Sequence, residues 1–373
     1  MKYSIEIGKI IDGAIKNDYE KVKAYVNKLI RELKEDGDSR TAKKFEKQLA
    51  KKTGNNLVSP SSLMKNIPVD SESHLKLAKI IYPDNSNIKV ALTENNMTQI
   101  EDFMLNYKLS DKLHEAGIDR ANSLLLYGPP GCGKSKTAHL IANELNLPLV
   151  IARLDSLISS YLGTTSKNIR TLFEYIDKMP CILFLDEFDA IAKARDDSNE
   201  LGELKRVVNS LLQNIDNLNK ESIFIAATNH DKLLDFAVWR RFDYKIKIEF
   251  PNKNSIIKII NIFIDNHLSL SKKNYKLLTS AFLGLTGAEI EDIITKAIRS
   301  SILYNKQLNI ILIFEEFFKI KNLVNKDNSI NKELLTKRAK FLRQLNEKIF
   351  SYSVIADILE ISKSYVYKLI RKE

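Results

Sequence analysis

Cysteine is scarce in this chain, with only Cys132 and Cys181 among its 373 residues. Two cysteines in separate segments provide neither a disulfide framework nor the repeated spacing of a zinc site. The class of small, disulfide-stapled secreted proteins is therefore excluded, and we expect a reducing cytoplasm as the location of the protein.

Long apolar runs are also missing. No stretch reaches the length of about 18 apolar residues that a transmembrane helix needs. The first residues, Met1–Glu6, lack the apolar core of a signal peptide. We therefore expect no membrane partner for this chain.

Positive charge is in excess, with 58 Lys and Arg against 47 Asp and Glu, and the formal net charge is +11. Such a balance permits an acidic partner such as nucleic acid, although solvated lysine-rich helix faces account for it equally well. The chain is 44% hydrophobic, and its length leaves room for two or three domains with a sizeable core.

A glycine-rich segment, Gly128–Ser135, lies between an apolar run at 124–126 and a helix-forming stretch at 136–145. Strand, loop and helix in that order are the context of a phosphate-binding loop, in which backbone N–H groups and the helix N-terminus face phosphate oxygens. Lys134 can reach the β- and γ-phosphates, and the Ser135 hydroxyl can bind Mg²⁺. The alternative is a glycine turn that merely ends a strand.

Two carboxylates, Asp186 and Glu187, follow the apolar run 181–185. A run of this kind is typical of a strand buried in a parallel sheet, and ligands bind at the carboxyl ends of such strands. Asp186 would hold Mg²⁺ through water, and Glu187 would orient and polarise the attacking water. The alternative is a solvated acidic turn.

A second apolar run, 222–228, ends in Asn229, whose amide can contact a γ-phosphate or fix the water. The short helix that follows carries Arg240 and Arg241, and guanidinium groups stabilise charge on a transferring phosphoryl group. Taken singly, an Asn at a strand end and two adjacent arginines in a basic chain are both common.

These motifs together resemble an AAA ATPase of the AAA+ superfamily, over about residues 88–323. Gly128–Ser135 resembles the Walker A motif, Leu183–Glu187 the Walker B motif, Asn229 sensor 1, and Ala226–Phe242 the second region of homology. The resemblance implies hydrolysis of ATP with Mg²⁺ in a ring of identical subunits, usually a hexamer, in which Arg240 and Arg241 act on the ATP of a neighbour. The nucleotide-binding residues that it implies are Gly128, Pro129, Pro130, Gly131, Cys132, Gly133, Lys134, Ser135, Lys136 and Asp186.

The chain departs from the family pattern at several positions. Cys132 stands where threonine is usual, and Ala288 stands where some relatives carry a sensor 2 arginine. A further motif, Tyr161-Leu162-Gly163, resembles the pore loop with which a ring grips a polypeptide, although Thr164-Thr165 follows where Glu-Ser is common. The alternative for Tyr161 is that it caps the core.

The tail carries a second signal, because residues 331–373 hold ten Lys or Arg against five Asp or Glu. Residues 352–370 resemble a helix-turn-helix unit, with Glu360 in place of the usual turn glycine. A pair of helices that docks a protein is the alternative to DNA binding. The residues left free for a DNA groove and phosphates are Ser362, Lys363, Ser364, Tyr365 and Lys368.

The predicted fold is α/β, with a five-stranded parallel sheet, helices on both of its faces, and a helical lid. The predicted segments are an N-terminal helical hairpin at 1–52, a linker at 53–87, the nucleotide-binding core at 88–250, the lid at 251–325 and the basic tail at 326–373.

We expect an ATPase ring that remodels or threads a protein substrate. The alternative is a DNA-associated motor or regulator of a mobile element or phage, recruited to duplex DNA by the tail. A separately encoded protease is a further candidate partner, because the chain contains no protease motif of its own.

Overall fold

A computed structural model describes most of the chain. The described residues are 7–11, 19–36, 38, 41–46, 67–70, 74–83, 88–157, 162–178, 180–189, 203–218, 221–264, 267–325 and 331–371. The chain divides into two compact units, Met1–Val69 and Asp70–Glu373. Within the described ranges, no helix is long and apolar enough to cross a bilayer.

The first unit contains helix α1, Tyr19–Glu35, and a further helical segment at residues 41–46. The two are joined by a small apolar cluster in which Leu29, Ile30 and Leu33 of α1 meet Ala42. This packing agrees with the helical hairpin predicted from the three- and four-residue spacing of apolar side chains.

The second unit is built on a six-stranded sheet in the order β1-β3-β4-β5-β2-β6. The five strands β2 to β6 are parallel, whereas β1 is an antiparallel edge strand that pairs Ala78 with Ala152. The prediction of a five-stranded parallel sheet is therefore confirmed for β2 to β6, and it missed the antiparallel edge strand β1. The strands are β1 Ala78–Ile81, β2 Ser123–Tyr127, β3 Leu149–Ala152, β4 Ile182–Leu185, β5 Ile223–Thr228 and β6 Tyr244–Lys247.

Seven helices among the described residues accompany the sheet. Alternate residues of the strands point to opposite faces, so Leu124 and Leu126 pack with Ile141 on one face. On the other face, Phe224 stacks on Phe242 at a centroid distance of 5.6 Å. The helices are α2 Glu94–Lys108, α3 Ser110–Glu115, α4 Lys134–Glu144, α5 Leu154–Leu157, α6 Leu162–Ile176, α7 Glu203–Asp216 and α8 Phe236–Trp239.

The strand order creates a crevice at the carboxyl end of β2. The chain leaves β2 for β3, which lies beyond β5 and β4, and later returns to place β6 on the opposite side of β2. A parallel sheet binds its ligands at such a reversal, outside the carboxyl ends of the strands. The predicted phosphate loop begins at this point, directly after Tyr127.

The lid and the tail share one apolar core. Phe314 of the lid packs edge-on against Phe350 at 6.2 Å, and Ile355 and Val366 of the tail belong to the same buried cluster. The lid helices are α9 Lys253–Ile264, α10 Lys272–Phe282, α11 Gly287–Leu303 and α12 Ile310–Ile320, and the tail helices are α13 Lys332–Leu345, α14 Tyr352–Leu359 and α15 Lys363–Arg371.

A buried arginine reinforces the junction between lid and tail. The side chain of Arg338 on α13 is only 3% exposed and forms two hydrogen bonds with the Glu315 carboxylate, at 2.7 and 3.1 Å. Its Nε donates to the Leu323 carbonyl at 2.9 Å, and the guanidinium lies over the Phe318 ring. A buried cation is tolerated here because several donors are satisfied at once.

Candidate nucleotide-binding site

The loop after β2 has the backbone geometry that a phosphate cradle requires. Gly128 adopts a φ of 135°, and a Cβ there would lie 2.1 Å from the carbonyl oxygen of Ile248. Gly133 adopts a φ of 105° at the N-cap of α4. Only glycine takes both conformations without strain, so the loop can curl and deliver the N-terminus of α4 to the crevice.

Lys134, the first residue of α4, has its ammonium group inside the loop. Its Nζ donates to the carbonyl oxygens of Gly128 and Pro129, each at 2.8 Å, and to Oδ1 of Asn229 at 2.6 Å. Burial lowers the pKa of Lys134, while the nearby carboxylates of Asp186 and Asp189 oppose that shift. The buried ammonium group of Lys134 is hydrogen-bonded to neutral oxygen atoms, so a bound phosphate would be a stronger partner for its positive charge.

Ser135 and Asp186 come together as the sequence predicted. The Ser135 hydroxyl donates to Oδ2 of Asp186 at 2.6 Å, so two hard oxygen ligands lie side by side, and this arrangement fits Mg²⁺. Among the described residues, no three His, Cys, Asp or Glu side chains group as a metal site. Mg²⁺ commonly combines one or two protein oxygen ligands with substrate phosphates and water, and Ser135 and Asp186 would supply the protein ligands here.

Glu187 is held in an unusual conformation next to this pair. Its φ is 51°, in the left-handed region, and its N–H donates to Oδ1 of Asp186 at 3.0 Å. The following turn is tied to β5, because Phe188 donates to the Ala227 carbonyl and Thr228 donates to Asp189 at 2.7 Å. Strained backbone of this kind persists where the surroundings fix it, and it is common at functional sites.

These groups line a cavity of about 380 Å³. Three parts of the chain enclose it: the loop and its carboxylates, the segment before α2, and the lid. Sequence reasoning missed the residues from the last two parts, because they carry no chemical motif. The missed residues are Lys89, Val90, Ala91, Ile259, Ile262, Phe263, Gly287 and Glu291.

Cys132 lines the cavity with a buried thiol, and Cys181 is buried at the start of β4. Burial raises the pKa of Cys132, with Lys134 opposing the shift, and burial raises the pKa of Cys181 to about 12. Both thiols are therefore weak nucleophiles at neutral pH.

The lid contacts the phosphate loop at Ala288, the position where some relatives carry an arginine. The Ala288 N–H donates to the Gly131 carbonyl at 2.9 Å.

Arg240 and Arg241 lie at the end of α8 and do not line the cavity of their own chain. The Arg240 guanidinium lies over the ring of Phe236, 4.2 Å from the centroid, and Phe236 is 66% exposed. Arg241 instead forms an ion pair with Asp216 on α7. Adjacent arginines thus have different surroundings, which the sequence did not indicate.

The remaining predicted residues lie elsewhere. Tyr161 falls outside the described residues, while Leu162 and Gly163 begin α6. On the tail, Ser362 accepts from the Tyr365 N–H at 3.2 Å at the start of α15. Of the predicted DNA-contact residues, Ser362, Lys363, Ser364 and Lys368 are exposed, and Tyr365 is half-buried.

The fold and site define a nucleotide-binding α/β protein with a phosphate loop. Residues 124–250 match the family described as the ATPase family associated with various cellular activities, AAA. The uncharacterized AAA family ATPase y4kL of Sinorhizobium fredii is 39% identical over 254 residues, which cover 66% of this chain and 74% of that protein. A proteasome-activating nucleotidase of Sulfurisphaera tokodaii is 30% identical over 276 residues, 70% of each chain.

A solved structure supports the same fold. The crystal structure of the FIGL-1 AAA domain superposes with a TM-score of 0.55 and 20% identity, covering 77% of this chain and 98% of that domain. At such identity the likeness concerns the fold alone, whereas the relative from Sinorhizobium fredii shows the family. This chain belongs to the AAA family of ATPases, and its enzymatic activity is the hydrolysis of ATP.

Proposed function

We propose that this ATPase works as a ring of identical subunits and uses ATP hydrolysis to remodel or thread a protein substrate. The observation that supports a ring most directly is the position of Arg240. Its guanidinium rests on an exposed phenylalanine away from the cavity of its own chain. A surface cation of this kind is available to the ATP of an adjacent subunit, as an arginine finger supplied in trans requires.

Within one subunit, the residues around the cavity divide the chemistry of phosphoryl transfer. Lys134 binds the β- and γ-phosphate oxygens, and Asn229 holds the γ-phosphate and the attacking water. Glu187 accepts a proton as the water oxygen attacks the γ-phosphorus and the bond to the β-phosphate oxygen breaks, which leaves ADP and inorganic phosphate. Mg²⁺ on Ser135 and Asp186 would neutralise charge on the phosphates.

The two arginines take different roles in this proposal. Arg240 reaches the neighbouring subunit, whereas the ion pair of Arg241 with Asp216 fixes the segment between α8 and β6 against α7. Arg241 therefore acts by holding Arg240 in place.

A protein substrate is supported by the sequence motif Tyr161-Leu162-Gly163 and by relatives named proteasome-activating nucleotidases. A hexamer would place six copies of Tyr161 in one channel, where aromatic packing grips a polypeptide with little sequence preference. A separately encoded protease and the cytoplasmic location predicted from the cysteine content stay expectations.

The test is unfolding of a fluorescent protein that carries an unstructured tail. We expect Tyr161→Ala to abolish the ATP-dependent loss of fluorescence and Tyr161→Phe, the matched control, to preserve it. ATP hydrolysis measured in parallel reports that each variant is folded and assembled. Unfolding by Tyr161→Ala at the rate of the unchanged protein would contradict threading.

A second candidate function, recruitment to duplex DNA, has a specific observation in its favour. Helices α14 and α15 bury their apolar sides, including Val366 and Leu369, while Lys363 and Lys368 of α15 remain exposed. The turn between the helices places Glu360 at a φ of 54°, where a glycine is usual. Two helices joined in this way present the second helix to a major groove.

The DNA candidate is tested by fluorescence anisotropy of a labelled duplex with the full chain. We expect the affinity to fall steeply with salt, because phosphate neutralisation releases counterions, and Lys363→Glu with Lys368→Glu to weaken binding by about tenfold or more. Lys108→Glu with Lys112→Glu, at two exposed positions outside the tail, is the matched charge change. Equal affinities for the double variant and this control would exclude the tail as a DNA surface.

A further inference from the structure

The phosphate loop and the first turn of α4 both contact the lid. The Ala288 N–H donates to the Gly131 carbonyl at 2.9 Å, and Nζ of Lys136 lies 2.5 Å from Oε2 of Glu291. Lys136 follows Ser135 on α4, and Glu291 lies one turn after Ala288 on α11. The ion pair therefore spans the mouth of the nucleotide cavity, which both side chains line.

Lys136 also contacts a second helix of the lid. The ammonium of Lys136 lies 5.6 Å from the centroid of the Phe263 ring on α9, so two lid helices meet this side chain. The side chains of Lys136 and Glu291 are 51% and 34% exposed. A pair exposed to this degree contributes little to the stability of the whole fold.

We propose that Lys136 and Glu291 form an ionic latch that sets how firmly the lid closes over bound nucleotide, and so controls the release of ADP. Both are positioning residues, because they act through the lid and not on the reacting atoms. This proposal rests on the ATPase activity of the family, and it does not depend on whether the substrate is a protein or DNA.

The magnitude of the effect follows from the exposure of the pair. A partly exposed ion pair is worth a factor of about five in an equilibrium constant. A factor of this size is small compared with the folding equilibrium constant of a domain. It would, however, change the ratio of closed to open lid by the whole factor of about five. Ala288 has no charged side chain with which to contact the phosphates. In this chain, the ionic contact across the cavity mouth is the pair of Lys136 on α4 and Glu291 on the lid.

The experiment measures dissociation of the fluorescent nucleotide mant-ADP from the full chain by stopped flow, with Mg²⁺ present. We expect Glu291→Gln and Lys136→Met each to speed dissociation by about fivefold. The double variant should be no faster than either single variant, because both changes break the same pair. Lys136→Arg keeps the charge and should dissociate within about twofold of the unchanged chain.

Steady-state kinetics separate the latch from a general loss of structure. In Glu291→Gln, loss of the latch should raise KM for ATP by about fivefold and change kcat by a smaller factor, because the carboxylate acts on the lid and not on the reacting atoms. Asp292→Asn is the matched control, since Asp292 pairs with Lys296 on the same lid helix at 2.7 Å without reaching the core. Its ADP dissociation should equal that of the unchanged chain.

Three outcomes would overturn the latch. Glu291→Gln could leave ADP dissociation unchanged, or could slow it, as expected if the carboxylate merely repels phosphate. The two single effects could instead multiply in the double variant to about 25-fold, which would mean that the residues act independently.

Discussion

The nucleotide cavity and the lid-and-tail core are held together by different kinds of contact. At the cavity, Lys134 donates to Asn229 and Ser135 donates to Asp186, each at 2.6 Å, and Lys134 also donates to two loop carbonyls at 2.8 Å. In the lid and tail, most contacts are made within one apolar cluster, and the Arg338–Glu315 pair is a buried polar element beside it.

This difference decides what each region reveals about function. Phosphate chemistry dictates both the residue types and their spacing, so the cavity can be assigned from a motif. Apolar packing dictates only the size and the spacing of the side chains. The tail residues therefore indicate how the tail packs on the lid, whereas the binding partner of the tail has to be found by experiment.

The largest expected effect is at the cavity. Glu187→Gln should lower ATP turnover by about 10²- to 10⁴-fold, because the amide cannot accept the proton of the attacking water. Binding of a fluorescent ATP analogue should persist, since the change removes no phosphate ligand. Steady-state ATPase rates check the first statement, and titration checks the second.

Glu174→Gln is the matched control for that change, because Glu174 lies on α6, pairs with Arg170 and does not line the nucleotide cavity. Its turnover should match that of the unchanged chain. Normal turnover by Glu187→Gln would show that another group serves as the base.

The next effect tests the polar element of the lid-and-tail core. Arg338→Met keeps most of the side-chain volume but leaves the Glu315 carboxylate and the Leu323 carbonyl without their donor. We expect the free energy of unfolding in urea to fall by about 2–4 kcal/mol, which is the scale for breaking a largely buried pair.

Lys337→Met makes the same kind of change at the adjacent position, where Lys337 pairs with Glu333 in solvent. No measurable loss is expected there, because exposed pairs contribute little. Equal losses for the two variants would mean that the apolar core, and not the buried guanidinium, holds lid and tail together.

The smallest effect concerns the turn between α14 and α15. Glu360 adopts a left-handed conformation with a φ of 54°. Glu360→Gly should therefore raise the unfolding free energy by about 0.5–1 kcal/mol, because glycine takes this conformation without a Cβ clash. Glu360→Ala retains the Cβ and should give no gain, and an equal gain from alanine would assign the effect to charge.

Much of the core could be predicted from sequence, because buried parallel strands are nearly continuous apolar runs. The run at 181–185 became β4 and the run at 222–228 became β5, each with its polar residue at the carboxyl end. Strand β1 was missed as part of the sheet, since its four residues, Ala78–Ile81, are defined by their pairing with β3 and not by their own pattern.

Some residues of the site could not be predicted from the sequence for a similar reason. Phe263 and Glu291 reach the cavity through the tertiary packing of the lid, and neither residue type is specific to nucleotide binding. Likewise, the sequence treated Arg240 and Arg241 as equivalent, but only the folded chain brings Asp216 beside Arg241.

The proposal that Arg240 acts on the ATP of a neighbouring subunit is tested most directly by mixing subunits that carry Arg240→Ala with subunits that carry Glu187→Gln. Each variant alone should be nearly inactive, yet random mixing gives about a quarter of the subunit junctions an intact base and an intact finger. Steady-state ATP hydrolysis should therefore recover in the mixture. Mixing Glu187→Gln with the double variant Glu187→Gln/Arg240→Ala is the control and should give no recovery. A mixture of the two single variants no more active than its components would contradict an arginine supplied by the neighbouring subunit.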